Sequence, residues 1–384
     1  MSPARPDGPT RLGDLGERAW IARATAIWGR AGVLGGPEVV VGSGPDDAAV
    51  VRPPRGELVL TCDLMIEGVH FTRGTLGGYD LGWKALASNL SDVAAMGAAP
   101  LYALVSLAAP PSTEIAFLEE AWRGMAELAR EAGVRLVGGD TSTSPGGIFL
   151  DMCVVGSVPP GGAWRAALAR PGQLLCVTGD LGGSAAGLAL LQGRDRQEAG
   201  PGAQAPQLAQ PEPAAAPAVP AAASATPTPP ALRDPDQEAV LARHRRPRPR
   251  LAEAAALGPF GARACRDVSD GLAASAHLIA EAAGVGVEIE AEAVPVAEAT
   301  RAVARRLGRD PLDWALFGGE DYELALAAAP EEVGALRAAL EPLGTELTVV
   351  GRFLAEEGVW LRRAGGGRQP LGRGYEHFGG GAEP

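Results

Sequence analysis

Residues 58–71 read L-V-L-T-C-D-L-M-I-E-G-V-H-F, and the rest of the chain is organised around this stretch. It opens as a β-strand at Leu58–Leu60 and passes into a segment that carries Thr61, Asp63, Glu67 and His70. The pattern predicts that the strand ends there and that polar side chains follow it. Carboxylates at a strand end suit a hard divalent cation or a metal–polyphosphate complex. We therefore expect a site at this point of the chain.

Further aspartates lie on both sides of this stretch, mostly in predicted turns. They are Asp46, Asp47, Asp92, Asp140, Asp267 and Asp270. Each alone is ambiguous, because aspartate in turns also caps helices and forms local turns, and capping is the alternative for Asp270. Adjacent Asp46 and Asp47 fit a structural role less well, since neighbouring carboxylates repel unless a cation or solvent lies between them. The hypothesis is that these carboxylates form one site.

Length and charge limit the class of protein. The 384 residues are enough for two domains, and 46% hydrophobic residues fit a globular protein. A net charge of −12 makes nucleic acid or an anionic membrane surface an improbable partner. The N-terminus has no apolar targeting segment, and no run approaches the ~20 apolar residues of a membrane span. The sequence thus predicts a cytoplasmic protein.

The four cysteines, which are far apart in sequence, predict no disulfide framework and no zinc site. Three of them fall in apolar strand-like runs and are interpreted as small buried hydrophobic residues. Only four histidines occur, so acid–base chemistry by histidine has few candidates.

Strands and helices alternate through residues 17–160, which predicts an α/β or α+β domain after a flexible tail at residues 1–16. A helix is expected over residues 80–97. Its apolar stripe includes Leu86 and Leu90, whereas Lys84, Ser88 and Asp92 recur every four residues on another face. The strand beginning at Val134 is expected to deliver Gly139 and Asp140 in a turn.

A second α/β domain is predicted over residues 161–378, with a tail at 379–384. Its sequence T-G-D-L-G-G-S, at 178–184, places a Gly-rich turn before a helix and predicts an anion site. Residues 201–230 contain 20 alanines and prolines, so 199–235 is predicted to be a disordered insertion. The basic run R-H-R-R-P-R-P-R at 243–250 is interpreted as a solvated loop rather than a nucleic-acid site.

Phosphoryl transfer suits this inventory, because it depends on positioning and charge neutralisation more than on covalent chemistry. The P-loop sequence, the protein-kinase signatures and a full G-x-G-x-x-G are absent from the sequence. A nucleophile at Ser184 would lack the G-x-S-x-G turn. Any ATP site must therefore depend mainly on metal ions.

Eight segments in order carry a resemblance to a known family. They are P-D-D-A-A-V-V, T-C-D-L-M-I-E-G-V-H-F, N-L-S-D-V-A-A-M-G-A-A-P, V-G-G-D-T-S, V-T-G-D-L-G-G-S-A-A-G-L, D-V-S-D-G-L, F-G-G-E-D-Y-E-L and G-Y-E-H-F. Together they resemble thiamine-monophosphate kinase, of the aminoimidazole-ribonucleotide synthetase superfamily. The resemblance covers residues 17–378 apart from the Ala/Pro insertion.

The resemblance implies a two-domain α/β fold whose N-terminal domain forms a homodimer through its sheet, with ATP bound between domains and across the dimer. It implies transfer from ATP to thiamine monophosphate, in line, with several Mg²⁺ ions. The implied metal-binding residues are Asp47, Thr61, Cys62 through its carbonyl oxygen, Asp63, Asp92, Asp140, Asp267 and Asp270. Among them, Asp63, Asp92 and Asp270 are implied to be catalytic.

The remaining implied contacts concern the two substrates. Nucleotide contacts are implied for Gly139, Asp140, Arg165 and Ser269, and thiamine monophosphate contacts for His70, Glu320 and Tyr375. Structural alternatives remain for two of them. His70 would be a satisfied polar residue behind a strand, and Glu320 would pair with an arginine.

Two positions depart from the family pattern. Pro45 replaces the glycine before Asp46, and Gly372 replaces an aromatic contact that is either lost or supplied by Tyr375. Sibling enzymes with a reactive cysteine near the N-terminus or at the C-terminus do not fit, because the first cysteine is Cys62 and the chain ends G-G-G-A-E-P. An aminoimidazole-ribonucleotide synthetase and a catalytically silent nucleotide-binding protein remain the alternatives.

Overall fold

The computed structural model of the protein describes residues 10–42, 48–198 and 234–374. Within these ranges the chain builds two mixed sheets, a small two-stranded ribbon and helices packed on the sheets. The candidate residues Asp46, Asp47 and Tyr375 lie outside the described residues, as do Pro45, the C-terminal tail and most of the Ala/Pro insertion.

The helices alternate with the strands along the chain. Their bounds are α1 (Leu12–Leu15), α2 (Glu17–Ala31), α3 (Gly78–Ala95), α4 (Ile115–Ala132), α5 (Gly183–Glu198), α6 (Pro235–Arg245), α7 (Leu251–Leu257), α8 (Leu272–Ala283), α9 (Glu298–Leu307), α10 (Pro311–Phe317) and α11 (Val333–Leu340).

The strands fall into two groups that are separate in sequence. Their bounds are β1 (Val39–Val41), β2 (Val50–Val51), β3 (Glu57–Ile66), β4 (Ala99–Ala109), β5 (Arg135–Thr143), β6 (Phe149–Val158), β7 (Leu174–Thr178), β8 (Cys265–Asp267), β9 (Gly286–Glu290), β10 (Leu324–Ala328), β11 (Leu347–Leu354), β12 (Gly358–Arg362) and β13 (Arg368–Pro370).

The first sheet has the strand order β3-β6-β4-β5, with β4 and β5 parallel and the other pairs antiparallel. The second has the order β13-β12-β9-β11-β7-β10-β8 and contains one parallel pair, β9 with β12. Helices and mixed sheets in two successive units confirm the predicted α/β (α+β) two-domain fold class.

Helix α3 is buried on almost all sides and packs closely against α4. The close approach depends on glycine: a Cβ at Gly82 would lie 1.7 Å from the Ala121 carbonyl oxygen, and one at Gly124 would lie 2.0 Å from that of Tyr79. Any side chain at either position would separate the two helices. The other side of α3 faces the second domain, so its residues reach both halves of the chain.

Two local predictions are wrong. Residues 10–16 are not loose, because Leu12 is buried in α1 and its N–H donates to the Thr113 carbonyl at 2.8 Å. The predicted insertion does not extend to residue 235, because Asp234 caps α6 through a hydrogen bond from the Asp236 N–H.

The basic segment at residues 243–250 is not a solvated loop. Arg243 and Arg250 both pair with the buried Glu323, and Arg246 pairs with Asp80 of α3. The Trp83 indole N–H donates to a backbone carbonyl of the same segment, that of residue 247. The segment therefore joins the two domains through ion pairs and backbone contacts.

Among the described residues, none of the helices combines the length and apolarity that a bilayer crossing requires.

Candidate functional site

Strand β3 presents a polar inner face toward α3. It remains a strand through Ile66, so Thr61 and Asp63 lie within it rather than at its end, which corrects the sequence prediction. Alternation places Thr61 and Asp63 on the inner face with buried Val59 and Met65. Two polar positions of the strand therefore point toward the helix that also touches the second domain.

Cys62, between them, faces the opposite side of the sheet. Its thiol donates to Asp151 at 3.1 Å, and this hydrogen bond, with burial, raises the pKa of Cys62 to about 11. The side chain is therefore turned away from Thr61 and Asp63, and only the backbone carbonyl remains available as the predicted oxygen ligand. Cys176 and Cys265 are buried as expected, whereas Cys62 is exposed.

The polar face of α3 meets this strand and the second domain at once. The Thr61 hydroxyl donates to Asp92 at 2.5 Å, and the Ser91 hydroxyl donates to Asp267 of β8 at 2.8 Å. Ser88, one turn before Asp92, lies close enough to Asp63 to lower the pKa of that carboxyl against the effect of burial. The helix thereby brings carboxylates from both domains to one place.

These carboxylates repel one another in a partly dry environment. Burial first, then the charge of Asp92, raises the pKa of Asp63 to about 6, and the same two causes raise that of Asp267 to about 7. Burial also raises the pKa of Asp92. Asp270, exposed at the start of the α8 segment, adds to the repulsion on Asp63. Clustered buried carboxylates of this kind favour a bound cation.

Capping does not explain Asp270, because α8 begins after Gly271, which is its N-cap residue. The position of Asp270 beside the cluster therefore favours the functional interpretation over the structural one.

The cluster suits Mg²⁺ in donor type, since every side chain offers oxygen. Over the three described ranges, however, no three Asp, Glu, His or Cys groups stand close enough to hold one ion by themselves. An ion here would need further oxygen from water or substrate phosphate, which is the usual situation for Mg²⁺. The residues present fit a metal that is shared with a substrate.

A cleft of about 480 Å³ opens beside the cluster, between the domains. Thr61, Asp92 and Asp267 line its polar end, and Val59, Ala95 and Met96 line the apolar part. Arg266 also lines it, and its charge lowers the pKa of Asp92 and Asp267 against the effect of burial. The cleft thus combines carboxylates, one guanidinium and apolar surface.

The loop of Gly318–Tyr322 forms another part of the site. The Glu320 N–H donates to the Ser269 carbonyl at 2.7 Å, and the Tyr322 N–H donates to the Val268 carbonyl at 3.0 Å. Both residues have left-handed backbone angles, φ +68° for Glu320 and +53° for Tyr322. Non-glycine residues rarely adopt such angles without surrounding support, and they cluster at functional sites.

Asp321, between them, fills the predicted anion site. Its carboxylate accepts from the backbone N–H groups of Gly182 at 2.6 Å and Ser184 at 3.1 Å, at the start of α5. Burial raises the pKa of Asp321 to about 7 against the effect of Arg243. The helix terminus is therefore occupied by the protein's own carboxylate, so the prediction of a free anion site is wrong.

Glu320 pairs with a lysine, not with the arginine that the structural alternative required. The Lys84 ammonium lies 2.6 Å from Glu320 Oε2, and the Lys84 side chain has no exposed surface. Sequence reasoning missed Lys84 as a site residue. The signal was present, because Lys84, Ser88 and Asp92 recur every four residues on α3.

His70 lies in the turn that follows β3. Its Nδ1 accepts a hydrogen bond from the N–H of Ile66, the last residue of β3, at 3.0 Å. This hydrogen bond fixes the orientation of the imidazole ring. This contact agrees with the structural alternative for His70, and the contact of His70 with a substrate stays a prediction.

Gly139 and Asp140 are not with the other predicted ligands. They lie within β5, not in a turn, at the edge of the sheet opposite β3. In the strand pairing, Asp140 of β5 lies opposite Ser106 of β4, and Ser106 lies opposite Asp151 of β6. Asp151 in turn lies opposite Leu64 of β3, whose side chain is on the outer face of the sheet. Three strand spacings, about 14 Å, and the sheet itself therefore separate Asp140 from Asp63.

Arg165, a predicted nucleotide contact, and Gly372, where the chain departs from the family pattern, both lie at the surface. Arg165 is exposed, and its backbone N–H donates to the Arg263 carbonyl at 3.0 Å. Gly372 is exposed, and a Cβ there would meet no atom within 4 Å.

Comparisons with known proteins agree with this geometry. Residues 45–158 match the family AIR synthase related protein, N-terminal domain, and residues 170–362 match the corresponding C-terminal domain. The chain is 33% identical over 343 residues to thiamine-monophosphate kinase of Bacillus subtilis, covering 88% of this chain and 94% of that protein.

Solved structures give the same result. Thiamine-monophosphate kinase from Stenotrophomonas maltophilia K279a superposes with a TM-score of 0.72 at 33% identity, over 90% of this chain and 96% of that one. AaThiL complexed with AMPPCP and TMP superposes with a TM-score of 0.65 at 28% identity, over 94% of this chain and 98% of that one.

Proposed function

The chain belongs to the thiamine-monophosphate kinase family of AIR synthase related proteins, and we propose that it phosphorylates thiamine monophosphate with ATP. The products are thiamine diphosphate and ADP. The observation that carries this proposal is the clustering of Asp63 and Asp92 with Asp267 and Asp270, from the other domain, beside one cleft.

The reaction is a direct in-line displacement. An oxygen of the acceptor phosphate bonds to the terminal phosphorus of ATP, and the bond from that phosphorus to the bridging oxygen breaks as ADP leaves. The protein supplies positioning and charge neutralisation rather than a covalent intermediate. This requirement fits a cleft without a histidine base among its lining residues.

Mg²⁺ is the proposed metal, held by Thr61, Asp63, Asp92, Asp267 and Asp270. When bound, it neutralises charge on the phosphate oxygens and aligns them. The chain's own part is to hold the aspartates in place, through the Thr61 and Ser91 hydroxyls. Asp47 and the Cys62 carbonyl are further proposed ligands, the first from outside the described residues.

The proposed acceptor contacts are His70, Glu320 and Tyr375, and the proposed nucleotide contacts are Gly139, Asp140, Arg165 and Ser269. A carboxylate at Glu320 suits the cationic thiazolium ring of thiamine. AaThiL in the complex with AMPPCP and TMP supports the same pair of substrates for this chain. A cytoplasmic location is proposed with the same function.

Purified protein tests the proposal directly. With Mg²⁺ and ATP it should convert thiamine monophosphate into thiamine diphosphate, measured by chromatography of the thiamine species and of ADP. Thiamine itself and the substrate of aminoimidazole-ribonucleotide synthetase serve as comparison acceptors. ATP consumption on another acceptor, or ATP binding without any turnover, would overturn the proposal.

Mg²⁺ binding is expected to stabilise the protein more at pH 8 than at pH 5.5. The folded pKa values of Asp63 and Asp267, about 6 and about 7, lie above the ordinary 3.8. At low pH the folded state therefore binds more protons at these two carboxyls than the unfolded state does. The folding stability that these protons contribute is lost as the pH rises through 6 to 7. At pH 8 both carboxylates are charged and free to bind the cation, whereas at pH 5.5 the cation must displace protons.

The measurement is the melting temperature with EDTA or with Mg²⁺ at each pH, at ionic strength matched with NaCl. An equal gain from Mg²⁺ at both pH values would contradict a cation site at these carboxylates.

A homodimer through the first sheet is also proposed. The outer face of β3 exposes Leu58 at 56%, Leu60 at 66% and Leu64 at 41%, and Leu104 of β4 adds 40% on the same face. Contiguous exposed apolar side chains on an open sheet indicate a protein interface. Asp140 shares this face, so a second copy packed on it would lie beside a proposed nucleotide contact.

Leu60→Asp is expected to convert the dimer into a monomer, because the carboxylate would be buried without a partner. Sedimentation velocity gives the mass of each variant. Leu343→Asp, at an exposed leucine of the second domain, is the matched control and should remain dimeric. A wild-type monomer, or a Leu60→Asp dimer, would refute this interface.

A further inference from the structure

Lys84 is the single lysine among the 34 lysine and arginine residues of this chain. Every other cationic side chain of this kind is arginine, and most described arginines lie at or near the surface. Lys84 instead lies in the middle of the buried helix α3, with none of its side chain exposed. Among the residues whose burial the structure describes, lysine thus occupies the position where a cation is completely removed from water.

The surroundings of Lys84 suit a compact ammonium group better than a larger guanidinium group. Within the described parts of the chain its ammonium has two partners, Glu320 Oε2 at 2.6 Å and His244 Nδ1 at 3.4 Å. An ammonium is a point charge on a flexible stem, whereas a guanidinium presents five N–H donors in a rigid plane. Two acceptors in a closed pocket can satisfy the ammonium far better than the guanidinium.

His244 keeps this arrangement in one state. Burial, together with the charges of Lys84 and Arg245, lowers the pKa of His244 to about 2, so the ring is neutral. Its Nδ1 lies 3.1 Å from the Ser184 hydroxyl, at the first turn of α5. The imidazole therefore packs against the ion pair as an uncharged ring. It does not form a second ion pair with Glu320 in place of Lys84.

Glu320 is held from two directions. Its backbone, at φ +68°, is fixed by the hydrogen bond to the Ser269 carbonyl, and its Oε2 is fixed by Lys84. Among the described residues Oε1 has no hydrogen-bond partner, and the side chain is 26% exposed. One oxygen is thus anchored in the protein while the other is free to face a ligand.

We propose that Lys84 is a positioning residue that holds Glu320 for the cationic acceptor. This inference rests on the proposed function. The anchored Oε2 fixes the carboxylate plane, so Oε1 presents its charge to the thiazolium ring in a set direction. Lys84 therefore acts on acceptor affinity through Glu320, without touching the reacting phosphates.

A mutant cycle tests this coupling with Lys84→Met, Glu320→Gln and the double variant. Lys84→Met is expected to raise the KM for thiamine monophosphate about 10-fold, the scale of losing a charge-assisted hydrogen bond. The KM for ATP and kcat should change less than about 3-fold. In the Glu320→Gln background, Lys84→Met should raise the KM no further.

A structural role alone would give a different pattern. Multiplying effects in the cycle, or equal increases in both KM values, would show that Lys84 does not act through Glu320. The double variant removes both charges from the pocket, so it remains measurable if Lys84→Met alone leaves an unpaired carboxylate and folds poorly.

The single lysine permits a second readout that needs no turnover. Protein labelled with ¹³C at lysine Cε should give one signal, from Lys84, and thiamine monophosphate should shift it in wild type but not in Glu320→Gln. An unmoved wild-type signal at saturating ligand would refute the inference. Absence of wild-type kinase activity would refute the proposed function instead, whereas normal activity with an unchanged KM in Lys84→Met would refute the Lys84 role alone.

Discussion

Asp63→Asn should lower kcat/KM for phosphorylation of thiamine monophosphate by about 10³-fold, the scale of losing one preorganised transition-state stabiliser. Asp63 faces the site from β3 and shares it with Asp92, which accepts the Thr61 hydroxyl. An amide retains the shape but not the charge, so it binds Mg²⁺ much less tightly. The loss should be partly reversed at high Mg²⁺ concentration if the residue is a metal ligand.

The melting temperature of this variant distinguishes a loss of catalysis from a loss of folding stability. Burial and the neighbouring carboxylates raise the pKa of Asp63 to about 6, which means that its charge at pH 8 opposes folding. Asp63→Asn removes that charge, so its melting temperature in metal-free buffer at pH 8 should equal or exceed that of wild type. Mg²⁺ should then raise it less than in wild type.

Asp14→Asn, at an exposed position of α1, is the control for the amide substitution itself and should keep wild-type activity. An Asp63→Asn enzyme with near-normal kcat/KM would remove Asp63 from the metal site. A variant that is inactive and also much less stable would indicate a structural role for this carboxylate.

Local patterns predicted the elements of this fold better than they predicted how the elements meet. The four-residue spacing of Lys84, Ser88 and Asp92 placed them on one face of a helix, and α3 has that face. The same spacing gave no indication that the second domain covers it. Contacts such as Ser91 to Asp267 join residues 176 positions apart, and no short-range pattern contains that information.

Strand ends were mispredicted for a related reason. Polar residues after Leu60 suggested that β3 stops, yet Thr61 and Asp63 continue the two-residue alternation on a half-buried face. Asp140 was likewise expected in a turn and lies within β5. A strand that lines a functional site carries polar side chains at positions that are apolar in a purely structural strand. A prediction from composition alone therefore places the end of such a strand too early.

The environment of the charged side chains in the basic segment 243–250 was also mispredicted from local sequence. A run of arginines and prolines in sequence resembles a solvated loop, because its partners are distant along the chain. In the structure Arg243 and Arg250 reach Glu323, whose side chain has no exposed surface. The ordered motifs of the family resemblance supplied the long-range information that pattern rules lacked, but they did not include this segment.

Glu323→Ala should therefore destabilise the protein by about 3–5 kcal/mol, the cost of removing one partner from a buried ion pair. Its Oε2 accepts from Arg250 at 2.5 Å and from the Thr178 hydroxyl at 2.7 Å, and its Oε1 accepts from Arg250 and Arg243. Opposite charge at Glu323 raises the pKa of both arginines against the effect of burial. Without the carboxylate, two guanidinium groups would remain in a poorly hydrated pocket.

A carboxylate in the same sheet supplies the matched comparison. Glu288 is buried to the same degree, but its partners Arg352 and Arg362 are 52% and 43% exposed, so they regain water when the carboxylate is lost. Chemical denaturation should give a clearly larger loss for Glu323→Ala than for Glu288→Ala. Equal losses would mean that burial of the carboxylate sets the cost, rather than the loss of a charged partner for the two buried arginines.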